Sequence, residues 1–436
     1  MHPRPAAPLT GTQPPQPALQ TASREAIAAH QFERLQAGLQ FILTSNSFYQ
    51  RKLAGLDLQS IRDMDTFRQL PFTVKSELVN DQIEHPPYGT NLTYPLSKYL
   101  RLHQTSGTTG QPLKILDTPE SWDWWADCWS VIYQAAGVTN EDILFLAFSF
   151  GPFIGFWSAY EGAKRVGALI VPGGGQTSLQ RIQTMLATQA TALVCTPTYA
   201  LHLAEVAQAE GVDIANSAVR VTIHAGEPGA SIPNTRRRIE SAWGAQTYDH
   251  LGMTEMGAYG FTCLHHDAVH VNEAEFIAEI LDPATGEPVA EGERGELVLT
   301  NLGRWGTPAI RYRTGDLVQR GSTTCACGRT YLTLPGGVLG RLDGMLIVRG
   351  VNVYPSSIED VLRGFPEIEE FRITVTKADE LDEIALDLEC PEALVPRVET
   401  ALRQGLSLRV PVRAVPSGTL PRFELKARRV VDLRHA

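Results

Sequence analysis

Short apolar runs alternate with longer amphipathic segments between residues 142 and 228, and this pattern limits the possible folds more than any other feature. The apolar runs have the length of strands, and the segments between them have helical spacing, which is typical of a parallel or mixed sheet covered by helices. Crossovers of this kind place the loops after the strands along one edge, where α/β proteins bind ligands. The pattern predicts strands at residues 142–150, 168–174, 191–197 and 219–228, and helices at 158–168, 179–189 and 199–211.

The texture of the sequence changes on both sides of this region. The N-terminal residues are rich in proline and lack the apolar stretch of a signal peptide. Residues 340–344 are polar and glycine-rich without periodicity, which indicates a domain boundary. We therefore expect an α/β protein in three parts: a disordered tail (1–22), a large N-terminal domain of mixed sheets flanked by helices with a β-rich subdomain from about residue 263 (23–342), and a small mobile α+β C-terminal domain (343–436).

Charge and cysteine content exclude several classes of protein. The net charge is −10, which disfavours binding to nucleic acid or to anionic lipid. Six cysteines in 436 residues are too few for a disulfide framework. The uncharged segment 143–160 is interrupted by Gly151 and Pro152, so a buried strand, a turn and a helix explain it better than a membrane span. These features predict a cytoplasmic protein.

A loop rich in glycine and hydroxyl groups follows the apolar run at residues 99–103. Such a loop brings backbone N–H groups and hydroxyls close to phosphate oxygens, although it lacks the Gly-Lys-Ser/Thr ending of a Walker loop. The composition alone is as typical of an ordinary polar loop as of a phosphate site. The loop consists of Thr105, Ser106, Gly107, Thr108, Thr109 and Gly110, followed by Gln111 and Pro112.

Four further segments change this balance because they occur in a particular order. They are YDHLGMTE (248–255), RYRTGD (311–316), GRLD (340–343) and LPRFELK (420–426). Together with LPFTVKSEL near the start, LIVRGVNVYPSSIE and the terminal KARRVVDL, the set resembles the adenylate-forming superfamily of acyl-CoA synthetases and luciferases, and most closely its phenylacetate-CoA ligase family. The resemblance runs from about Phe32 to Leu433.

The resemblance implies an ATP-dependent reaction in two steps. The carboxylate of an acid attacks the α-phosphate to give an acyl-adenylate and pyrophosphate, and a thiol such as coenzyme A then takes the acyl group. In the family the C-terminal domain rotates between the steps, and Asp343 falls at the hinge, where a residue must absorb a large backbone change.

The resemblance also implies roles for the residues of these segments. Residues 105–110 would hold the triphosphate, with Thr105 in a catalytic role, and Glu255 would bind Mg²⁺. Asp316 would accept hydrogen bonds from the ribose with Arg341 assisting, and Lys426 would contact the carboxylate and the α-phosphate. The adenine would be lined by Ala225, Gly226, Glu227 and Pro228, and the nucleotide site would be completed by Asp249, His250, Gly252, Met253 and Thr254.

The sequence departs from the family at four positions in the glycine-rich loop and in the segments 248–255 and 420–426. Gln111 stands where a lysine is common, and Leu251 stands where a tyrosine often stacks on adenine. Phe423 and Leu425 replace small residues before Lys426. These changes affect the expected ATP affinity and the second step, and they leave Glu255 and Asp316 in place.

A cluster of cysteine and histidine residues predicts a structural zinc site. Cys325 and Cys327 supply two thiolates from one turn, and Cys263 lies upstream with three histidines close behind it. Thiolates and imidazoles suit tetrahedral zinc, and four protein ligands leave no open position. Of His265, His266 and His270, the last matches a histidine common in the phenylacetate-CoA ligase family, so we expect His270 to be the fourth ligand. Unpaired thiols are the alternative.

The segment 148–157 lies where the family lines its acyl pocket. Aromatic and apolar walls suit an aryl or arylacetic acid, whereas ordinary core packing is the alternative for any single ring. The predicted pocket residues are Phe148, Phe150, Gly151, Phe156, Tyr199 and His224.

Three functions are compatible with these residues. The first is an aryl-CoA ligase that uses ATP, Mg²⁺ and coenzyme A. The second is a stand-alone enzyme that loads an aryl acid onto the phosphopantetheine of a carrier protein. The third is a non-catalytic nucleotide-binding protein of the same fold. Because the family is often dimeric, the resemblance also implies a homodimer.

Overall fold

The computed structural model describes most of the chain. It covers residues 17–105, 111–148, 150–151, 153–266, 268–348, 351–378, 381–406, 408–423 and 427–434. Two predicted site elements, Ser106–Gly110 and Lys426, lie outside the described residues.

The N-terminal part is mostly helical. Ser23 begins the first helix by accepting a hydrogen bond from Ala26 N, an N-cap that satisfies a free backbone donor. Residues 17–21 form a short 3₁₀ helix in which Gln20 is buried and bonded to Arg329 and Thr330, so the predicted tail 1–22 is too long at its end. The elements are α1 (Arg24–Ser45), α2 (Ser47–Lys52), α3 (Met64–Phe67), α4 (Lys75–Glu84), β1 (Arg101–Gln104), β2 (Lys114–Asp117) and α5 (Pro119–Ala135).

The alternating region forms an eight-stranded mixed sheet, as the sequence predicts. Its elements are β3 (Ile143–Leu146), α6 (Ile154–Val166), β4 (Leu169–Pro172), α7 (Ser178–Ala187), β5 (Ala192–Cys195), α8 (Pro197–Ala209), β6 (Val221–His224), α9 (Pro233–Trp243), β7 (Gln246–Met253), β8 (Gly257–Thr262) and β9 (Val269–Val271). Strands β3 to β7 are parallel, and β8 and β9 add antiparallel strands beyond β7. The predicted first strand ends at Leu146 rather than at residue 150, because the chain turns toward α6 from there.

A second, antiparallel sheet follows, in the region where the sequence predicts β structure. It pairs β10 (Phe276–Leu281), β11 (Arg294–Asn301), β12 (Tyr312–Gln319) and β14 (Val338–Arg341), while β13 (Thr333–Leu334) joins the edge of the first sheet through β9.

The C-terminal part has its own sheet and its own apolar core. Its elements are β15 (Leu346–Val348), β16 (Val351–Val353), α10 (Pro355–Arg363), β17 (Phe371–Ala378), β18 (Leu381–Glu389), α11 (Val395–Leu406), β19 (Val412–Val415) and β20 (Val430–Asp432). Residues from β15, β17, β18, α10 and α11 form a hydrophobic cluster separate from the two clusters of the N-terminal part. The predicted fold class, α/β with a β-rich region and an α+β C-terminal unit, is confirmed.

No helix in the described part of the chain has the length and apolar character that a membrane crossing requires. The apolar segment considered above divides into β3, a turn and α6.

Candidate active site

Glu255 lies in the turn between β7 and β8, and it is buried. Its Oε1 is 3.1 Å from Lys75 Nζ and accepts a hydrogen bond from Tyr312 OH at 3.3 Å. Arg304 supports this turn by donating to Thr254 O, and it forms a fully buried pair with Asp117. The carboxylate is therefore held in a fixed position beside a lysine ammonium group.

Asp316 and Arg341 pair across neighbouring strands β12 and β14. Arg341 Nη1 donates to Asp316 Oδ1 at 3.0 Å. Burial raises the pKa of Asp316 to about 6, although the Arg341 charge opposes the shift; the nearby Glu255 carboxylate adds to it. Gly315 has a φ of +72°, and a Cβ there would lie 2.8 Å from Arg341 Nη2, so glycine is required for this pair to form.

The motif 248–255 places Asp249 and His250 inside the sheet. Asp249 accepts hydrogen bonds from the amide and the hydroxyl of Ser231, and burial raises its pKa to about 6. His250 Nδ1 bonds Gly260 O at 3.0 Å, and its ring lies 4.3 Å from the Trp129 ring. Burial lowers the pKa of His250 to about 4, which keeps it neutral.

The rest of that motif lies closer to the surface of the site. Gly252 packs against the His250 ring, where a Cβ would lie 2.9 Å from the imidazole. Met253 is half-buried against the main hydrophobic cluster. These contacts position the backbone of β7 immediately before Glu255.

The loop after β6 carries the predicted adenine-lining residues. Gly226 and Pro228 are exposed, and Ala225 is half-buried. Glu227 Oε1 accepts a hydrogen bond from Thr198 N at 2.9 Å, and its Oε2 accepts one from Ala427 N at 2.8 Å. The Glu227 carboxylate therefore binds backbone N–H groups of two distant segments, a contact that the sequence did not predict.

Thr105 lies at the end of β1, where the predicted phosphate loop begins. Its Oγ1 accepts a hydrogen bond from Leu113 N, and its own N–H donates to Leu113 O, both at 3.0 Å. This pair closes the base of the loop. The remaining loop residues, 106–110, are outside the described part of the chain.

The aromatic residues of segment 148–157 form a cluster at the end of β3. Phe148 stacks on Phe156 with ring centroids 4.3 Å apart, and Phe150 packs against Trp157 at 4.7 Å. Tyr160 joins at 6.1 Å from Phe150. Trp157 Nε1 donates to Gly151 O at 2.9 Å, which fixes the turn that carries the predicted Gly151.

Tyr199 and His224 are not part of this aromatic cluster. Tyr199 is buried in the hydrophobic cluster on α7, α8 and β5, and its hydroxyl contacts Ser178 at 3.0 Å. His224 has no exposed surface, and its Nε2 lies 2.9 Å from Thr222 Oγ1. Their assignment to the acyl pocket stays a prediction.

The cysteine and histidine residues predicted to bind zinc lie together. The ligand atoms of Cys263, His270, Cys325 and Cys327 are all within 4.8 Å of one another. Cys263 Sγ lies 3.7 Å from Cys325 Sγ, and Cys327 Sγ lies 3.7 Å from His270 Nε2. Zinc–sulfur bonds of about 2.3 Å in a tetrahedron place sulfurs about 3.8 Å apart. Burial lowers the pKa of His270 to about 4, which gives the neutral imidazole that a metal requires.

Sequence reasoning missed the residues that support Glu255. Lys75 belongs to the segment LPFTVKSEL that contributes to the resemblance, but nothing in that segment distinguishes it from a solvated lysine. Tyr312 and Arg304 lie 57 and about 50 residues away in the chain, and only the fold brings them to Glu255.

Comparison with known proteins identifies the family. A sequence profile of AMP-binding enzymes matches residues 95–303, and one of their C-terminal domain matches residues 350–434. The phenylacetate-coenzyme A ligase of Thermus thermophilus is 32% identical over 96% of this chain and 99% of its own length. The chain belongs to the phenylacetate-coenzyme A ligase family. The enzyme of the same name from Escherichia coli is 31% identical over 96% of this chain and 97% of its own length.

Solved structures of a 2-hydroxyisobutyryl-CoA ligase extend the comparison. Its postadenylation state with 2-HIB-AMP has a TM-score of 0.91 at 30% identity, covering 97% of this chain and 94% of that chain. Its thioesterification state with 2-HIB-AMP and CoA has a TM-score of 0.74 at 31% identity over the same shares. The predicted enzyme class, an AMP-forming acid–CoA ligase, is confirmed. The chain is more similar in overall structure to the postadenylation state of that ligase than to its thioesterification state.

Proposed function

We propose that this phenylacetate-CoA ligase family member activates an aromatic carboxylic acid. The observation that carries the proposal is the cluster of Phe148, Phe150, Phe156, Trp157 and Tyr160 at the end of β3, at the same edge of the sheet as β7 and Glu255. Flat rings of this kind bind an aryl group by shape and apolar area. The names of the relatives support an arylacetic acid.

The proposed reaction has two steps, adenylate formation and thioester formation. A carboxylate oxygen of the acid bonds to the α-phosphorus of ATP, and the bond to the pyrophosphate oxygen breaks. The thiol sulfur of coenzyme A then bonds to the acyl carbon, AMP leaves with its electron pair, and the thiol proton passes to solvent. The products are acyl-CoA, AMP and pyrophosphate.

The site residues would divide the work on the nucleotide. Asp316 accepts hydrogen bonds from the ribose hydroxyls, and Arg341 holds that carboxylate ionised and oriented. Thr105 fixes the base of the loop that would hold the triphosphate. The predicted Lys426 would neutralise charge that develops at the α-phosphate.

Glu255 fits the predicted magnesium ion. Mg²⁺ in phosphate sites takes one or two carboxylates, and Glu255 offers one that a lysine and a tyrosine already hold in place. The ion would neutralise phosphate charge when bound.

A panel of acids tests the proposal. The enzyme is incubated with ATP, Mg²⁺ and coenzyme A, and acyl-CoA is measured with benzoate, phenylacetate, hydroxybenzoates, aminobenzoates and 2-hydroxyisobutyrate. We expect an aryl or arylacetic acid to have the highest kcat/KM. A preference for 2-hydroxyisobutyrate, the acid of the structural relative, would contradict the aromatic assignment.

The dependence of AMP release on coenzyme A distinguishes coenzyme A from a carrier-protein phosphopantetheine as the acyl acceptor. Release of AMP that requires coenzyme A supports the ligase, whereas adenylate that accumulates until a carrier protein is added supports the carrier-loading alternative. Absence of acid-dependent pyrophosphate exchange with every acid would support the non-catalytic alternative.

We further propose that the domains divide at residues 342 and 343 and that Asp343 is the hinge. Asp343 is exposed in the turn after β14 and pairs with Arg341 Nε at 3.1 Å. Asp343→Pro should preserve pyrophosphate exchange and block thioester formation, because proline fixes φ where rotation requires a change. Equal loss of both steps would refute the hinge.

The four clustered ligands support a structural zinc ion. Metal analysis of the purified protein should give about one zinc per chain, and Cys327→Ser should lower both zinc content and the melting temperature. Protein that lacks zinc after mild purification would contradict the site.

The proposal also places the enzyme in the cytoplasm, where ATP and coenzyme A are available. We further propose that the enzyme forms a homodimer, which its mass in solution tests.

A further inference from the structure

Glu227 accepts hydrogen bonds from the N-terminal part and from the C-terminal part of the chain. Its Oε2 accepts a hydrogen bond of 2.8 Å from Ala427 N, the peptide N–H directly after the predicted catalytic Lys426. In the sequence Ala427 is bonded directly to the predicted catalytic Lys426, so a contact at Ala427 N–H acts on the peptide that follows this lysine. The two partners are 200 residues apart in the chain.

The other oxygen of the carboxylate is also engaged. Oε1 accepts a hydrogen bond of 2.9 Å from Thr198 N, in the first turn of α8. A carboxylate at a helix N-terminus is stabilised by the helix dipole and by free backbone donors. With both oxygens bound, Glu227 has a defined orientation toward Ala427.

A second contact fixes the same C-terminal segment two residues later. Arg429 is buried, and it pairs with Glu370 at 2.5 Å and with Glu359 at 3.2 Å. Its Nη1 also donates to Thr198 Oγ1 at 3.3 Å. Thr198 is thus linked to both ends of the segment 427–429. Its hydroxyl binds Arg429 directly, and its N–H binds Glu227, which in turn binds Ala427.

These contacts occur in a domain arrangement that resembles one of several states of a solved relative. The chain matches the postadenylation state of 2-hydroxyisobutyryl-CoA ligase with a TM-score of 0.91 and the thioesterification state with a TM-score of 0.74, over equal shares of both chains. The contact between the N-terminal part and residues 427–429 is therefore made in an arrangement that resembles the relative's state before thioesterification.

We propose that Glu227 is a positioning residue for adenylate formation: through Ala427 N–H it holds the segment that follows Lys426 against α8, and it releases this segment before thioester formation. The inference rests on the proposed two-step function. It assigns Glu227 a role other than lining the adenine. It predicts that loss of the carboxylate slows the first half-reaction and not the second.

Another hydrogen bond between the N-terminal and C-terminal parts offers a control variant, which tests whether the loss of any such bond has the same effect. Asn234 Nδ2 donates to Asp360 O at 2.8 Å, also between the N-terminal part and the C-terminal part. This bond does not involve residues 427–429. Asn234→Ala therefore removes one hydrogen bond between the same two parts without loosening the segment after Lys426.

Half-reaction kinetics test the proposal with Glu227→Gln and Glu227→Ala. The glutamine variant keeps the size of the side chain, but its single carbonyl oxygen can satisfy only one of the two N–H groups. With phenylacetate, we expect kcat for pyrophosphate exchange to fall about 10- to 100-fold in both variants, since a hydrogen bond to a charged group is lost. KM for ATP should change less than about threefold, and thiolysis of synthetic phenylacetyl-adenylate by coenzyme A should stay within about twofold of wild type. Asn234→Ala should leave exchange within about threefold.

Hydrogen exchange supplies a readout that does not depend on the acid. The Ala427 amide should exchange about tenfold faster or more in both Glu227 variants and at the wild-type rate in Asn234→Ala. Equal slowing of both half-reactions, a raised KM for ATP with unchanged kcat, or an Ala427 amide that exchanges at the wild-type rate would overturn the positioning role. Wild-type enzyme without exchange on any acid would contradict the proposed function, and the amide measurement would still decide whether Glu227 holds the segment.

Discussion

The side of the site that we propose to bind the nucleotide and the side that we propose to bind the acid are built in different ways. On the nucleotide side, Glu255 and the Asp316–Arg341 pair are charged groups whose partners lie 3.0–3.3 Å away. On the acyl side, the rings of Phe148, Phe150, Phe156 and Trp157 touch through faces and edges with centroids 4.3–5.9 Å apart. Charged groups with fixed partners demand one residue type, whereas an aromatic wall demands shape and area. The nucleotide side should therefore tolerate far less change than the acyl side.

The largest expected effect is that of Glu255→Gln. The amide keeps the volume but cannot bind a cation as a carboxylate does, so kcat for pyrophosphate exchange should fall about 100-fold or more. Thiolysis of supplied acyl-adenylate, which releases no pyrophosphate, is the internal control. Exchange within about threefold of wild type would remove Glu255 from the reaction.

Asp316→Asn should act on ATP affinity. Loss of a charged acceptor for the ribose hydroxyls should raise KM for ATP about 10- to 50-fold, with a smaller change in kcat. Burial raises the pKa of Asp316 to about 6, so the ionised form that accepts two hydrogen bonds is lost as the pH falls through 6. Wild-type KM for ATP should therefore rise below pH 6 while that of the variant stays level. Parallel pH profiles would show that another group titrates.

Phe156→Ala tests the acyl side. Removing a ring that stacks on Phe148 at 4.3 Å should raise KM for an aryl acid about tenfold and leave KM for ATP unchanged. Phe156→Leu, which keeps apolar volume, should recover part of the loss. If KM for ATP rises as much as KM for the acid, the ring supports the fold rather than the pocket.

Trp157→Phe should have the smallest effect. It keeps one aromatic ring beside Phe150 and removes the second ring of the indole together with the hydrogen bond from Nε1 to Gly151 O. The turn at Gly151 should loosen, and KM for the acid should rise about threefold. An effect larger than that of Phe156→Ala would show that the turn, and not the stacked rings, sets the affinity for the acid.

The same contrast explains what the sequence could predict. The motif order singled out Glu255, Asp316 and Arg341, and the structure holds each of them in an ion pair, whereas their roles toward the nucleotide stay predictions. It also predicted the four residues of the cysteine–histidine cluster, since thiol and imidazole are rare enough to be informative together. Tyr199 and His224 stay predictions as pocket residues, because both are buried and aromatic character alone does not tell a pocket wall from a core.

Other features depend on pairings that no local pattern contains. Lys75 reaches Glu255 only after α4 packs beside the sheet, and Glu227 reaches Ala427 only when the C-terminal part docks against α8. The alternation of strands and helices predicted β3 to β6 and the helices between them, but contacts over 180 to 200 residues follow from how the sheets and domains assemble.

Isotope transfer tests the central claim, acid activation through an acyl-adenylate, most directly. The enzyme is supplied with ATP, Mg²⁺, coenzyme A and the preferred acid labelled with ¹⁸O in its carboxylate, and the products are examined by mass spectrometry. We predict that AMP carries a labelled oxygen in its phosphate, because the carboxylate oxygen attacks the α-phosphorus and stays there when the thiol displaces AMP. Label in inorganic phosphate with formation of ADP, or acyl-CoA formed with unlabelled AMP, would contradict the account.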